Sequence, residues 1–219
     1  AYYNASVFGH NVLQFGGREM RTGPEFRARF LDARFDNRKG ALWLVDTTEL
    51  YDHVQFVRRL VVHLLPGIVA VLDQARLTRT EHLSLRWHTA TPVDPDPNGA
   101  FRVQGKRTAL AAHFVPLDGL PVRMESRRHA FAPPFDRARL GDPLPQRHEP
   151  YLETGREGKS LCWLTLFSVR TDPSDRTQWQ REAEGLWRIE TPEGTASMAF
   201  REGRLTVEYL EKPGEGWDF

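Results

Sequence analysis

The sequence predicts an all-β fold, a large antiparallel sandwich of about a dozen short strands. Three observations lead there. The stretch Val57 to Thr91 reads as three antiparallel strands in a row. Turn signals recur about every 8–12 residues, as strands joined by tight connections require. Helical periodicity is almost absent along the chain.

In the central stretch, Leu60 to Leu65 is apolar on both faces, Pro66-Gly67 marks a turn, and Ile68 to Asp73 returns, again apolar on both faces. The polar run Thr78-Arg79-Thr80-Glu81 leads to a third strand. There Leu83, Leu85 and Trp87 alternate with His82, Ser84, Arg86 and His88. A period of two marks a half-buried strand. Two strands apolar on both faces beside a half-buried one suit the middle of a packed sheet.

The flanking elements follow in order. Val12 to Phe15 is a short strand, and Gly16-Gly17 is expected to turn it back into Arg18-Glu19-Met20 as a hairpin. Phe26 to Phe35 and Ala41 to Val45 are strands separated by the loop Asp36 to Gly40, and Asp46 to Asp52 is a connection. Val93 to Gly99 is turn-rich; Phe101 to Val103 and Ala109 to Val115 form a second hairpin. Glu125 to Gly158 is rich in proline and arginine with little periodicity. It reads as a long surface excursion with one edge strand, His129 to Phe131. Leu161 to Val169 is apolar on both faces and is the next strand. Asp172 to Arg181 is loop or a short helical turn, and Gly185 to Glu190, Thr195 to Arg201 and Leu205 to Leu210 close the chain as a meander. A single domain over residues 1–219 is expected.

Composition narrows the class. An apolar fraction of 40%, with 11% aromatic residues, is enough for a sizeable core. The net charge of +1 provides no global field to attract nucleic acid or an anionic membrane. The basic residues are mostly arginine, which suits bidentate contact with carboxylate or sulfate and equally suits a high-GC genome. The single Cys162 rules out an internal disulfide framework and a cysteine-rich zinc site. No apolar run approaches the roughly 20 residues of a membrane-spanning helix, and the start shows no signal-peptide pattern. Tyr2-Tyr3-Asn4-Ala5-Ser6 reads as mid-domain sequence, so the chain is expected to be cut from a longer precursor.

Two blocks resemble the heparinase II/III-like polysaccharide lyases. One is Ser6 to Glu19, with His10-Asn11-Val12 where the family has His-Asn-Thr. The other begins near Asp46-Thr47-Thr48 and Tyr51, continues with Arg59 ahead of an apolar strand and Val71-Leu72-Asp73, and ends at Trp87-His88. Together they cover about the first ninety residues. The resemblance implies the C-terminal β-sandwich domain of an enzyme whose upstream part is an α/α-toroid, cleaving acidic, uronate-containing polysaccharides by β-elimination in the periplasm or outside the cell. The family's His-x-His-x-Asp segment, which precedes the His-Asn strand, has no counterpart in these residues.

Site candidates follow from that resemblance and from residue chemistry. The resemblance implies that His10 helps hold a divalent metal such as zinc, with its other ligands in the segment this sequence lacks; the alternative is a histidine bonded to a neighbouring strand. Asn11 is a candidate for substrate contact or for orienting a backbone turn. Tyr3, beside Tyr2, is a candidate acid or base for the elimination. Arg86 and His88 share the polar face of one strand with His82, and that face suits a substrate carboxylate or a metal or, in the plainer reading, solvent or a covering loop. Arg123, Arg127, Arg128 and His129 form a basic cluster fit for a sulfated or uronic sugar or for local ion pairs. His63 and Cys162 read as core residues. No phosphate-binding glycine loop, G-x-S-x-G, H-E-x-x-H or Cys-x-x-Cys is present. The rival to a lyase domain is a non-catalytic glycan-binding or structural sandwich, which calls for an exposed aromatic platform or apolar patch. A third reading, a self-contained metal-dependent β-barrel enzyme, requires three converging ligands.

Overall fold

The structure, a computed structural model, describes residues 3–133, 135–136, 147–212, 214 and 216–219, with Asn4 as backbone alone. It is an antiparallel sandwich of two sheets, as the sequence predicts. The larger sheet holds β1 (Leu13–Phe15), β2 (Arg29–Asp36), β3 (Gly40–Asp46), β4 (Val54–Leu64), β5 (Ile68–His88), β6 (Ala100–Gln104), β7 (Ala109–Pro116), β8 (Arg123–Ala130) and β9 (His148–Arg170). Its order is β2-β3-β4-β5-β9-β7-β6, with β1 joined to β5 and β8 joined to β9. The smaller sheet is a plain meander of β10 (Gln180–Ala183), β11 (Leu186–Thr191), β12 (Gly194–Arg201), β13 (Arg204–Tyr209) and β14 (Trp217–Asp218).

Strand register decides which residues face the second sheet. Leu60 lies opposite Leu72, and Leu72 opposite Leu164. These three, with Val62, Leu64, Ile68, Ala70 and Leu166, pack against Trp187, Ile189, Met198, Leu205 and Val207 of the smaller sheet. Full burial of each large aliphatic side chain stabilises the sandwich by about 1.5–3 kcal/mol. The alternate positions of the same strands face away. There Ala75, Leu161 and Trp163 join Leu13, Phe15, Tyr51, Leu83 and Leu85 in a second cluster.

The sandwich is also stapled by a side chain. Arg170, at the end of β9, is 5% exposed. Its Nη1 donates to the Glu190 carbonyl of β11 at 3.0 Å, and its Nε donates to Asp175 Oδ2 at 2.7 Å. Burial works against the Asp175 charge, but the Thr177 N–H at 2.8 Å and the Arg170 guanidinium outweigh it and hold the carboxyl at about 2.

On the outward face of β4 and β5, Arg59 and Asp73 are cross-strand partners. Arg59 grips the carboxylate with both ends of its fork, Nε to Oδ1 at 2.7 Å and Nη2 to Oδ2 at 3.0 Å. Asp73 is 1% exposed. Burial opposes the guanidinium charge, and the facing carboxylate more than restores it.

Three sequence expectations are corrected. The polar run Thr78 to Glu81 is not a connection to a third antiparallel strand. β5 runs unbroken through it for 21 residues, with only a register irregularity between Arg76 and Glu81 against β9. That run lacks the Gly, Pro or Asn a reversal calls for, and Glu81 is held inward by Arg18 and Arg79 at 2.5 Å each. The Gly16-Gly17 pair does turn the chain, with φ of +57° and +67°, but no return strand follows. β1 pairs with β5 instead, Leu13 opposite Leu85. Finally, much of the supposed surface excursion Glu125 to Gly158 is strand. β8 pairs with the first part of β9, Arg123 opposite Gly155 through Ala130 opposite His148. Pro150 and the run of charged residues hid a strand whose one face is solvated.

Two stability outcomes are expected. Removing the Arg59 fork with Arg59→Met leaves Asp73 buried and unpaired, which should cost about 3–5 kcal/mol in urea unfolding; a cost under about 1 kcal/mol would contradict the pairing. For Asp175, a carboxyl whose folded value is depressed stabilises the protein above its ordinary value near 3.8 and loses that contribution as pH falls toward about 2. Acid titration should therefore show less loss of stability over that window in Asp175→Asn than in the parent.

Candidate functional site

Ahead of β1 the chain makes two short 3-10 turns, Tyr3–Ala5 and Val7–Gly9. Several long-range bonds fasten this segment to the sheet. Asn11 Oδ1 accepts from the His88 N–H at 2.7 Å, and the Asn11 carbonyl accepts from Arg59 Nη1 at 2.5 Å. The Phe8 carbonyl accepts from Arg86 Nη1 at 3.2 Å and from His88 Nε2 at 3.1 Å. Glu19 accepts from the Val7 N–H at 2.8 Å, and Tyr51 donates its hydroxyl to the Leu13 carbonyl at 2.9 Å. The resemblance motifs thus converge: the His-Asn segment, Arg59, Asp73 and His88 form one fastening.

Beneath the segment lies a charged cluster. Arg86 Nε donates to Glu153 at 2.6 Å, and its guanidinium lies 4.6 Å from the Tyr151 ring centre and 5.2 Å from that of Phe8. His88 Nδ1 is 2.9 Å from Glu149 Oε1. Both acceptors around His88, the Phe8 carbonyl and the Glu149 carboxylate, favour the imidazolium, but burial dominates and sets its pKa below the ordinary value.

Tyr3 closes the cluster from above. Its ring stacks on His129 of β8 at 3.6 Å with planes 2° apart, and meets Phe131 and His88 edge-on at 5.6 Å and 6.0 Å. Its hydroxyl oxygen is sealed from solvent. Burial, aided by Glu149 and opposed by Arg86, pushes the phenol up to about 12. On the open side of the stack is a cavity of about 570 Å³, walled chiefly by Tyr3, Phe8, Glu19, His129, Phe131, Phe135 and Arg147. The Arg147 guanidinium sits 4.4 Å from the Phe131 ring centre. Burial lowers the His129 pKa, with Glu149 pulling the other way, so a neutral imidazole faces the cavity at neutral pH.

The sequence candidates fall into place unevenly. Tyr3, Arg86 and His88 meet within this one site. Asn11 takes the backbone-orienting role, with its side-chain oxygen committed to the His88 amide. His10 caps the second 3-10 turn through its backbone and is exposed. Among the described residues no group of three His, Cys, Asp or Glu side chains is placed to hold a metal. Tyr2 lies outside the described residues. His82 stands apart, exposed and 3.2 Å from Glu157. Arg123 and Arg127 both pair with Glu125 along β8, the plainer of their two readings. His63 is half-buried, and the Cys162 thiol, pushed up by burial, lies 3.7 Å from Gln74 Nε2. Sequence reasoning missed Arg147, Glu149 and the aromatic wall of Phe131 and Phe135. All four fall in the stretch read as an excursion; the signal available was the basic run Arg127-Arg128-His129 leading into Ala130-Phe131.

Comparison with known proteins adds the architecture. No protein-family profile matches the sequence, and no curated protein matches it. Solved structures do match in fold. A crystal structure of heparinase III aligns over 91% of this chain and 30% of its own, with a TM-score of 0.64 and 12% identity. The heparan sulfate lyase HepC from Pedobacter heparinus aligns over 87% of this chain and 30% of its own, with a TM-score of 0.62 and 11% identity. This chain therefore spans under a third of the length of the solved structures it matches, and what it shares with them is a heparinase-like β-sandwich fold.

Proposed function

We propose that this chain is the β-sandwich part of a polysaccharide lyase acting on an acidic, uronate-containing glycan, working together with an α/α-toroid of the same protein. The carrying observation is the cavity beside the Tyr3–His129 stack, on a sandwich that aligns with heparinase III over nine-tenths of its length. Its wall combines aromatic surface, which covers the apolar face of a sugar ring, with a guanidinium at Arg147, an uncharged imidazole at His129 and the Glu19 carboxylate, which accepts from the Val7 N–H.

In this reading Arg147 neutralises the uronate carboxylate, which acidifies the C5 hydrogen. The neutral His129 takes that proton, the C4–O bond breaks as the C4=C5 double bond forms, and the departing electron pair stays on oxygen. The imidazolium then returns the proton to that oxygen, so the imidazole is regenerated and no cofactor is consumed. The sequence offers Tyr3 as an acid–base candidate. With its hydroxyl sealed, it serves here as a positioning residue whose ring holds the imidazole flat. Arg86 and His88 support the floor of the site. Periplasmic or extracellular location belongs to the same proposal.

Two outcomes are expected when the protein is assayed on heparan sulfate and alginate by the ultraviolet absorbance of unsaturated uronate. His129→Gln should lower kcat by about 100-fold or more, whereas Tyr3→Phe, which keeps the ring, should stay within a few-fold of the parent and Tyr3→Ala should not. Binding without any release of unsaturated product would point instead to a non-catalytic glycan-binding module. The pH profile of kcat/KM should rise through an acid limb below the ordinary imidazole value of about 6.5, because burial lowers His129. A limb above that value, or one that persists in His129→Gln, would contradict the assignment.

A further inference from the structure

The outermost strand of the larger sheet, β2, has no neighbour on its far side among the described strands. Seven of its eight residues are exposed. Phe30 is 71% exposed, Phe35 77% and Leu31 49%. An edge strand this open is a template for another strand, and the charges and any bulge it carries restrict which partner and register it accepts.

Register shows how its side chains are arranged. The strand bulges at Leu31, between the pairs Phe30–Val45 and Asp32–Leu44. The extra residue restores Phe30 to the face that carries Ala33 and Phe35, opposite Val45, Trp43 and Ala41. Asp32 and Arg34 lie on the other face and pair with each other at 2.5 Å. The end charges are occupied elsewhere: Arg29 with Glu49, and Asp36 with the backbone N–H groups of Arg38 and Lys39.

We propose that β2 pairs antiparallel with β2 of a second copy of this chain, about a twofold axis through Ala33. Two copies of one strand pair antiparallel about an axis perpendicular to the sheet, so the axis is centred on a residue. Centred on Asp32, it sets Asp32 against Asp32 of the second copy. Centred on Arg34, it sets arginine against arginine and Asp32 against Asp36. Centred on Ala33, it sets Asp32 against Arg34 twice over, a four-charge network, and Phe35 against Leu31. Small alanines meet at the axis. Opposite charges facing across a strand pair are favourable and like charges are not, so the central residues of β2 favour this register over the two adjacent ones. The main-chain bonds supply affinity, as in other strand additions.

This inference stands apart from the lyase reading, and either can fail alone. The test is sedimentation equilibrium of the protein and three variants, with circular dichroism confirming the fold of each. The parent should be a dimer that weakens in high salt. Asp32→Arg and Arg34→Asp each set like charges opposite one another twice and should raise the dimer dissociation constant about tenfold or more. The double reversal Asp32→Arg/Arg34→Asp rebuilds the network with its signs exchanged and should restore the dimer. A parent that stays monomeric at every concentration, a dimer indifferent to the single reversals, or a double reversal as weak as the singles would overturn the proposal.

Discussion

The Arg59–Asp73 pair is the interaction on which the candidate site depends. It joins β4 to β5 on the face turned away from the second sheet, where Asp73 is almost fully buried. A carboxylate there is tolerable only with a counter-charge and hydrogen bonds on both oxygens, and the arginine fork provides them. The same guanidinium reaches the Asn11 carbonyl. One buried ion pair therefore fixes both the sheet and the segment that carries Tyr3. The Trp87 ring, 5.7 Å from the guanidinium carbon, packs over the same group. This explains why motifs distant in the sequence belong together: each supplies a different end of one clasp.

The chemistry of the site follows from how its charges are spent. Arg86 is tied to Glu153 and to the Phe8 carbonyl, and His88 is set against Glu149. Arg86 and Glu153 compensate one another below the Tyr3 ring, and in the proposed reading the cluster supports the site. The charged and titratable groups lining the cavity are Arg147, His129 and Glu19, a cation, a neutral base and a carboxylate already held by the Val7 N–H, on aromatic walls. That combination suits an anionic sugar with a removable proton next to its carboxylate. The stack of Tyr3 on His129 links the two layers, since the phenol belongs to the buried cluster and the imidazole to the cavity.

The sequence made the fold class legible because the strands of the sandwich core obey period two and carry unmistakable apolar runs. Leu60 to Leu65, Leu83 to Trp87 and the closing meander all stand where their patterns put them. Turns are legible where glycine or proline marks a true reversal, as at Pro66-Gly67. They are not legible where polarity imitates one: Thr78 to Glu81 is polar because that part of β5 is open to solvent, while Glu81 turns inward to two arginines. The stretch around β8 escaped for a similar reason. Strands solvated on one face and interrupted by Pro150 carry little hydrophobic signal, although the ladder between β8 and β9 runs for eight residue pairs. The site was half legible. Tyr3, Arg86 and His88 were singled out and do meet, whereas Arg147 and Glu149 come from that hidden stretch, and no local pattern announces a stack between residues 3 and 129.

The account is tested most directly by a crystal structure of the protein with a uronate-containing oligosaccharide bound. The expected result is a sugar ring in the cavity walled by Phe8 and Phe131, its carboxylate on Arg147 and its C5 within proton-transfer reach of the His129 imidazole. A glycan seated elsewhere on the sandwich, with this cavity empty, would contradict the account.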